Sequence, residues 1–202
     1  PFESGGHAAR PARSLCLAMT DRLVRLHLKE PDLLVVALTC PATARTASQL
    51  HQCLPTSARL YAEGIAAGFG VSALLGGEAR INLQLACDGP LKGLLVDADA
   101  RGQVRGYLKN ASVNFGPKVP GAEPALGGVG ALAVLRELKP GEFYRGEVAL
   151  EHFELARDLE RFYLESEQIE TLVRLECSAI ADEPLGRVSD LFVQRMPDAA
   201  PG

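Results

Sequence analysis

No tryptophan occurs among the 202 residues, and Phe (7) and Tyr (4) are sparse, so Leu, Val and Ala have to supply most of the buried area. An excess of basic charge is missing too. Lys and Arg number 21 against 25 Asp and Glu, a formal charge of −4, which offers no long-range attraction to phosphate backbones and argues against nucleic acid as a general partner. No stretch approaches the ~18–20 apolar residues that cross a bilayer, so a membrane is not an expected partner. Residues 14–19 follow Arg10 and Arg13 in the manner of a leader, but the run is short and Asp21, Arg22 and Arg25 soon interrupt it. A cytoplasmic location is expected, and Pro1 reads as something other than the native start.

Paired cysteine ligands are also lacking. Cys16, Cys40, Cys53, Cys87 and Cys177 lie far apart, with no C-x-C or C-x-x-C among them, which removes support for a Cys-rich zinc site and leaves buried small hydrophobes as the expectation. His7, His27, His51 and His152 are scattered, and neither H-E-x-x-H nor G-x-S-x-G occurs. His152, beside Glu151 at a strand-to-helix junction, reads as a cap or solvent residue. Gly127-Gly128-Val129-Gly130 lacks the Lys-Ser/Thr of a phosphate-binding loop. Neither an enzyme nor a cofactor is expected.

What is present is a succession of strands and turns. Residues 25–29 alternate polar and apolar as a half-buried strand does, Pro31-Asp32 turns the chain, and residues 33–38 form a continuous apolar run suited to a covered strand. Ala44, Ala47, Leu50 and Leu54 recur at helical spacing, and a second helix is expected after Pro55 with Thr56 or Ser57 as its N-cap. That helix is rich in Ala and Gly. Each Gly costs about 1 kcal/mol relative to Ala, so close packing must offset it.

Ile81, Leu83, Leu85 and Cys87 alternate with Asn82, Gln84 and Ala86, Asp88-Gly89-Pro90 turns, residues 91–96 return, and Val104, Gly106 and Leu108 complete a meander. Residues 110–128, with Pro117, Pro120 and Pro124, read as a loop separating two β-rich halves of one domain. Beyond it, strands are expected at 129–135 and 143–150, and a helix carries Phe153, Ala156, Leu159 and Phe162 on its apolar face. Glu154, Arg157, Asp158, Glu160 and Arg161 supply its charged face, and Glu160, Glu165, Glu167 and Glu170 read as solvated. Strands at 171–177 and 188–193 flank an Asp182-Glu183-Pro184 turn.

Two blocks, 81–107 and 141–168, carry more than pattern. Gln84, the turn Asp88-Gly89-Pro90-Leu91 and Arg105-Gly106-Tyr107 stand in one; Gly141-Glu142, Tyr144-Arg145-Gly146, Leu150-Glu151 and Ser166-Glu167-Gln168 stand in the other, with Val193-Gln194-Arg195-Met196-Pro197 beyond. In order and spacing these resemble the N-terminal domain of the heat shock protein 33 family of redox-regulated holdase chaperones. Read from the residues themselves, Gly89 and Gly106 serve backbone geometry, and Arg105 fixes a loop or pairs with a carboxylate.

The resemblance implies an α+β fold in which antiparallel sheets pack against helices. It also implies unfolded or partly folded client proteins as partners, and a homodimer. The expected organisation is an arm over 1–20, one domain over 21–197 and a tail over 198–202. Family members continue into a zinc domain with C-x-C and C-x-x-C. None of those cysteines is present here, so client binding without ATP, zinc or an oxidation switch is expected. The rival expectation is an interaction or scaffold protein that kept the fold without chaperone activity. A contiguous apolar surface favours the chaperone; a polar surface with one small hydrophobic site favours the scaffold.

Overall fold

The computed structural model describes residues 20–116, 122–139, 141–180 and 183–196. The expected arm and tail, Cys16, His7 and residues 117–121 of the Pro-rich loop lie outside them. Strands β1 (Arg22–Lys29) and β2 (Asp32–Thr39) form a hairpin, followed by α1 (Pro41–Leu50) and α2 (Pro55–Leu75). β3 (Arg80–Cys87), β4 (Gly93–Asp99) and β5 (Val104–Leu108) come next, then a single turn α3 (Glu123–Leu126). β6 (Gly130–Lys139), β7 (Glu142–Ala149), α4 (Leu155–Phe162), a π-helical turn (Tyr163–Glu167), β8 (Thr171–Ile180) and β9 (Glu183–Arg195) complete the chain.

The strands make two antiparallel sheets, ordered β1-β2-β9-β8 and β5-β4-β3-β6-β7. The fold class is therefore the α+β expected from the sequence. The loop at 110–128 does not separate two β-rich halves: β6 returns to pair with β3, and β9 returns to pair with β2, so each sheet draws strands from both sides of that loop. Local hydrophobic alternation carries no information about which non-adjacent strand is the partner.

Helix α2 lies between the sheets, and its glycines explain how. A Cβ on Gly68 would stand 2.7 Å from Val96 Cγ1 and one on Gly64 would touch Leu94, both on β4; one on Gly70 would stand 2.1 Å from Phe192 Cε2 on β9. Gly64 and Gly68 are one helical turn apart and Gly70 is on the opposite side. The helix thus presents a shaved face to each sheet. Around it Val36, Phe192 and Val173 of one sheet and Leu83, Val96 and Leu132 of the other are sealed from solvent, each contributing roughly 1.5–3 kcal/mol by burial. No helix among the described residues is long and apolar enough to cross a membrane.

Several local expectations need correction. Residues 22–29 are a strand, but every one of the eight is exposed, not half-buried, because α2 does not extend over this outermost strand. Helix α2 starts at Pro55 with Leu54 in the N-cap position. Thr56 and Ser57 are instead within it: Thr56 Oγ1 accepts from Phe115 N at 3.0 Å, and Ser57 Oγ accepts from Val113 N and donates to Asn110 O, both at 3.0 Å. They tie the 110–116 segment to the helix. Glu183 and Pro184 belong to β9 and not to a turn.

The charged face of α4 is also less charged than expected. Asp158 is wholly buried and accepts the backbone N–H groups of Glu151, His152 and Glu154 at 3.1–3.2 Å, so it organises the loop that enters its own helix. Glu167 is buried as well, its side chain 7 % exposed against Arg136. Glu165 and Glu170 are solvated as expected.

Candidate functional site

The residues singled out by the two sequence blocks fall into three clusters. In the first, Asp88 Oδ1 accepts from Gly128 N and Val129 N, both at 2.9 Å, and Gly89 N donates to Leu126 O at 3.0 Å. The amides of Val129 and Gly128 hold the Asp88 carboxyl below its ordinary value. A Cβ on Gly89 would stand 2.4 Å from the Leu126 carbonyl carbon, and Pro90 O accepts from Asn110 Nδ2 at 2.9 Å. This turn clamps α3 and the start of β6.

The second cluster lies on the outer face of the five-stranded sheet. Gln84 donates to Asn82, Asn82 donates to Asp97, and Arg105 Nε donates to Asp97 Oδ2 at 2.9 Å. Arg105 pairs with a carboxylate while remaining 86 % exposed. Gly106 allows close strand pairing, since a Cβ there would stand 2.4 Å from Leu95 O and 3.2 Å from Tyr61 Oη.

The third cluster fastens the π-helical turn to β7. Tyr144 Oη donates to Ser166 O at 3.2 Å, the Arg136 guanidinium sits 4.5 Å from the Tyr144 ring centre, and Arg136 pairs with Glu167 at 2.7 Å. A Cβ on Gly146 would collide with Ser166 Oγ at 2.3 Å and with Phe162. Gln168 takes a left-handed conformation, φ 58°, and ends the turn with its N–H on Tyr163 O. The ten singled-out residues fall in these three clusters, which the structure does not bring into one reactive site.

Other chemistry-bearing side chains are dispersed. His27 bonds Asp32, His51 meets the edge of Tyr61, and among the described residues no group of three His, Cys, Asp or Glu could hold a metal ion. Cys40, Cys53, Cys87 and Cys177 are free thiols. Burial pushes Cys53 up to about 11 and Cys177 up to about 12, while Cys40 is raised by burial and then by Asp190. None is activated as a nucleophile.

The surface that sequence reading missed is the outer face of the four-stranded sheet. Register places Leu26, Val35, Val193 and Leu172 in one row across all four strands. Leu28 with Leu33 lies on one side of it, and Val24, Ala37 and Leu191 on the other. Val24 is 48 %, Leu26 52 %, Leu28 44 % and Leu172 41 % exposed. Among the described residues no helix covers these rows; past Leu172 they run into a groove whose far wall includes Leu164 of the π-helical turn. Ion pairs rim it, Arg174 with Glu160 at 2.7 Å and Arg195 with Glu170 at 3.1 Å. One signal could have found it: residues 33–38 are apolar on both faces of β2, although only Leu34, Val36 and Leu38 are buried.

Comparison with known proteins follows the fold. A family model described as Hsp33 protein matches residues 21–201. The 33 kDa chaperonin of Citrifermentans bemidjiense is 34 % identical over 186 residues, covering 91 % of this chain and 63 % of its own. That of Thermodesulfovibrio yellowstonii is 31 % identical over 179 residues, covering 88 % and 62 %. A crystal structure of the 33 kDa chaperonin (heat shock protein 33 homolog) from Thermotoga maritima matches with a TM-score of 0.77 at 20 % identity, covering 85 % of this chain and 59 % of that one. The chain spans a little under two thirds of the length of these relatives.

Proposed function

Because this chain belongs to the Hsp33 family, we propose that it is an ATP-independent, holdase-type chaperone domain. It captures unfolding client proteins on the apolar outer face of its four-stranded sheet. The observation that carries this reading is the row Leu26-Val35-Val193-Leu172 with its exposed flanks Val24 and Leu28. A contiguous apolar face of this kind marks an interaction site, and capture there competes with aggregation of the client's own exposed segments. Its breadth across four strands favours a chaperone over a scaffold built to dock one defined partner.

The five cysteines form no C-x-C or C-x-x-C pair, and burial raises the described thiols. Client capture by these residues accordingly needs neither zinc nor oxidation. A single domain over 21–197, a homodimer and action in the cytoplasm are parts of the same reading, with no catalysis, nucleic acid or membrane involved.

The test is light scattering from a chemically unfolded client diluted into reducing buffer, with the chain at equimolar ratio. Suppression of scattering is expected, together with loss of most of it in Leu172→Glu, which places a charge at the β8 end of the apolar row, beside the groove. Absence of suppression by folded wild-type protein sinks the chaperone reading and favours the scaffold.

A further inference from the structure

The two edges of the four-stranded sheet have opposite characters. At β8, Glu160 of α4 accepts Val173 N at 2.9 Å as well as Arg174 Nη1 at 2.7 Å, so a helix side chain already occupies backbone hydrogen-bonding capacity there. β1 is the outermost strand on the other side. It pairs with β2 over eight consecutive residues with no register shift, and all eight are exposed. In an antiparallel ladder every second residue of an edge strand aims its N–H and C=O outward. A strand of this length, unbroken in register and covered by none of the described residues, is a template for a further strand.

The side chains of β1 select what is added. Val24, Leu26 and Leu28 extend the apolar outer face, whereas Leu23, Arg25, His27 and Lys29 lie on the opposite face. The strand Arg22–Lys29 contains no acidic residue. The carboxylates that flank it are engaged: Asp21 accepts Ala42 N and Thr43 N at 2.9 Å, and Asp32 is bonded to His27. Glu30 lies beyond the strand in the turn. A second copy of the chain fits poorly in the antiparallel register centred on Arg25, which sets Arg25 opposite Arg25, since like charges directly opposite destabilise a ladder.

We propose that the free edge of β1 captures an extended client segment by strand addition, and that it selects segments alternating apolar residues with Asp or Glu. The apolar side chains continue the Val24-Leu26-Leu28 surface, and the carboxylates face Lys29 and Arg25, the latter also donating to Ala73 O at 2.8 Å, while His27 is already bonded to Asp32. This rests on the chaperone reading and names its client chemistry. Affinity then comes from backbone hydrogen bonds, and selection from the alternating side chains.

The experiment is fluorescence anisotropy with labelled peptides of about ten residues, long enough to span the strand. An alternating Val/Glu peptide is expected to bind about tenfold or more tighter than a Val/Lys peptide, a difference of about 1.4 kcal/mol or more. N-methylation of one alternate set of the Val/Glu peptide's amides removes binding, while N-methylation of the other set leaves it. The double variant His27→Glu, Lys29→Glu reverses the preference. Equal binding by both N-methylated peptides overturns the proposal without recourse to any variant of the protein, and so does a preference that survives the charge reversal. Scattering measured on the same proteins separates the two readings. Full suppression by wild type with no peptide discrimination overturns strand addition and leaves the chaperone reading intact, whereas discrimination without suppression does the reverse.

Discussion

Arg136 on β6 and Glu167 in the π-helical turn meet at 2.7 Å, with the arginine side chain 25 % and the glutamate side chain 7 % exposed. The pair joins β6 to the π-helical turn; Tyr144 on neighbouring β7 reaches the same turn through its Oη to Ser166 O, and the Arg136 guanidinium also rests on the Tyr144 ring. Geometry of this kind depends on both partners being present, since a lone charge in a mostly buried position is penalised by desolvation.

Glu167→Gln is therefore expected to destabilise the fold by about 2–4 kcal/mol, mainly through the uncompensated Arg136 charge. Urea unfolding monitored by circular dichroism measures it. A change below about 0.5 kcal/mol would place the pair with ordinary surface ion pairs.

Gly146 sits where β7 meets the π-helical turn, and a Cβ there would lie 2.3 Å from Ser166 Oγ and 2.7 Å from Phe162 Cε2. Gly146→Ala is expected to cost about 1–3 kcal/mol by overpacking. Adding Ser166→Ala removes the Oγ that the new Cβ would meet but leaves the contact with Phe162, so partial recovery, limited by Phe162, is the expected outcome of the double-mutant cycle. Full recovery would show that Phe162 yields freely.

Two carboxyls, Glu63 partly buried and Asp190 buried, make stability fall as pH rises. Burial, opposed by Arg59 and reinforced by Glu154, pushes Glu63 up to about 7. Burial alone raises Asp190 well above the carboxylate range, and neither of its oxygens has a hydrogen-bond partner. An acid whose folded value exceeds its unfolded one binds more protons in the folded state. Its contribution is complete below the unfolded value and is lost as pH climbs through the folded value. For Glu63 the window runs from about 4.3 to about 7; for Asp190 it extends upward from about 3.9. Glu63→Gln is expected to flatten the stability profile between pH 5 and 7 by on the order of 2–3 kcal/mol, and Asp190→Asn to gain on wild type progressively toward alkaline pH. Parallel profiles for wild type and variants from urea unfolding across pH 5–9 would contradict both assignments.

The sequence by itself determined the strands, the two long turns and the class of fold, because alternation at Ile81-Leu83-Leu85 and the Asp88-Gly89-Pro90 turn are set by local stereochemistry. It also carried the family, through residues such as Gly89, Gly106 and Gly146 that no side chain could replace without collision. Tertiary structure alone decided which alternations face solvent. The pattern of residues 25–29 reads as half-buried, yet β1 is exposed on both faces because α2 ends its cover at β2. Asp158 and Glu167 read as solvated charges, yet one is buried under the backbone amides of its own helix entry and the other under Arg136. Burial is a property of what packs against a residue. For both the apolar sheet face and these buried carboxylates, those neighbours come from distant parts of the chain, which no local spacing encodes.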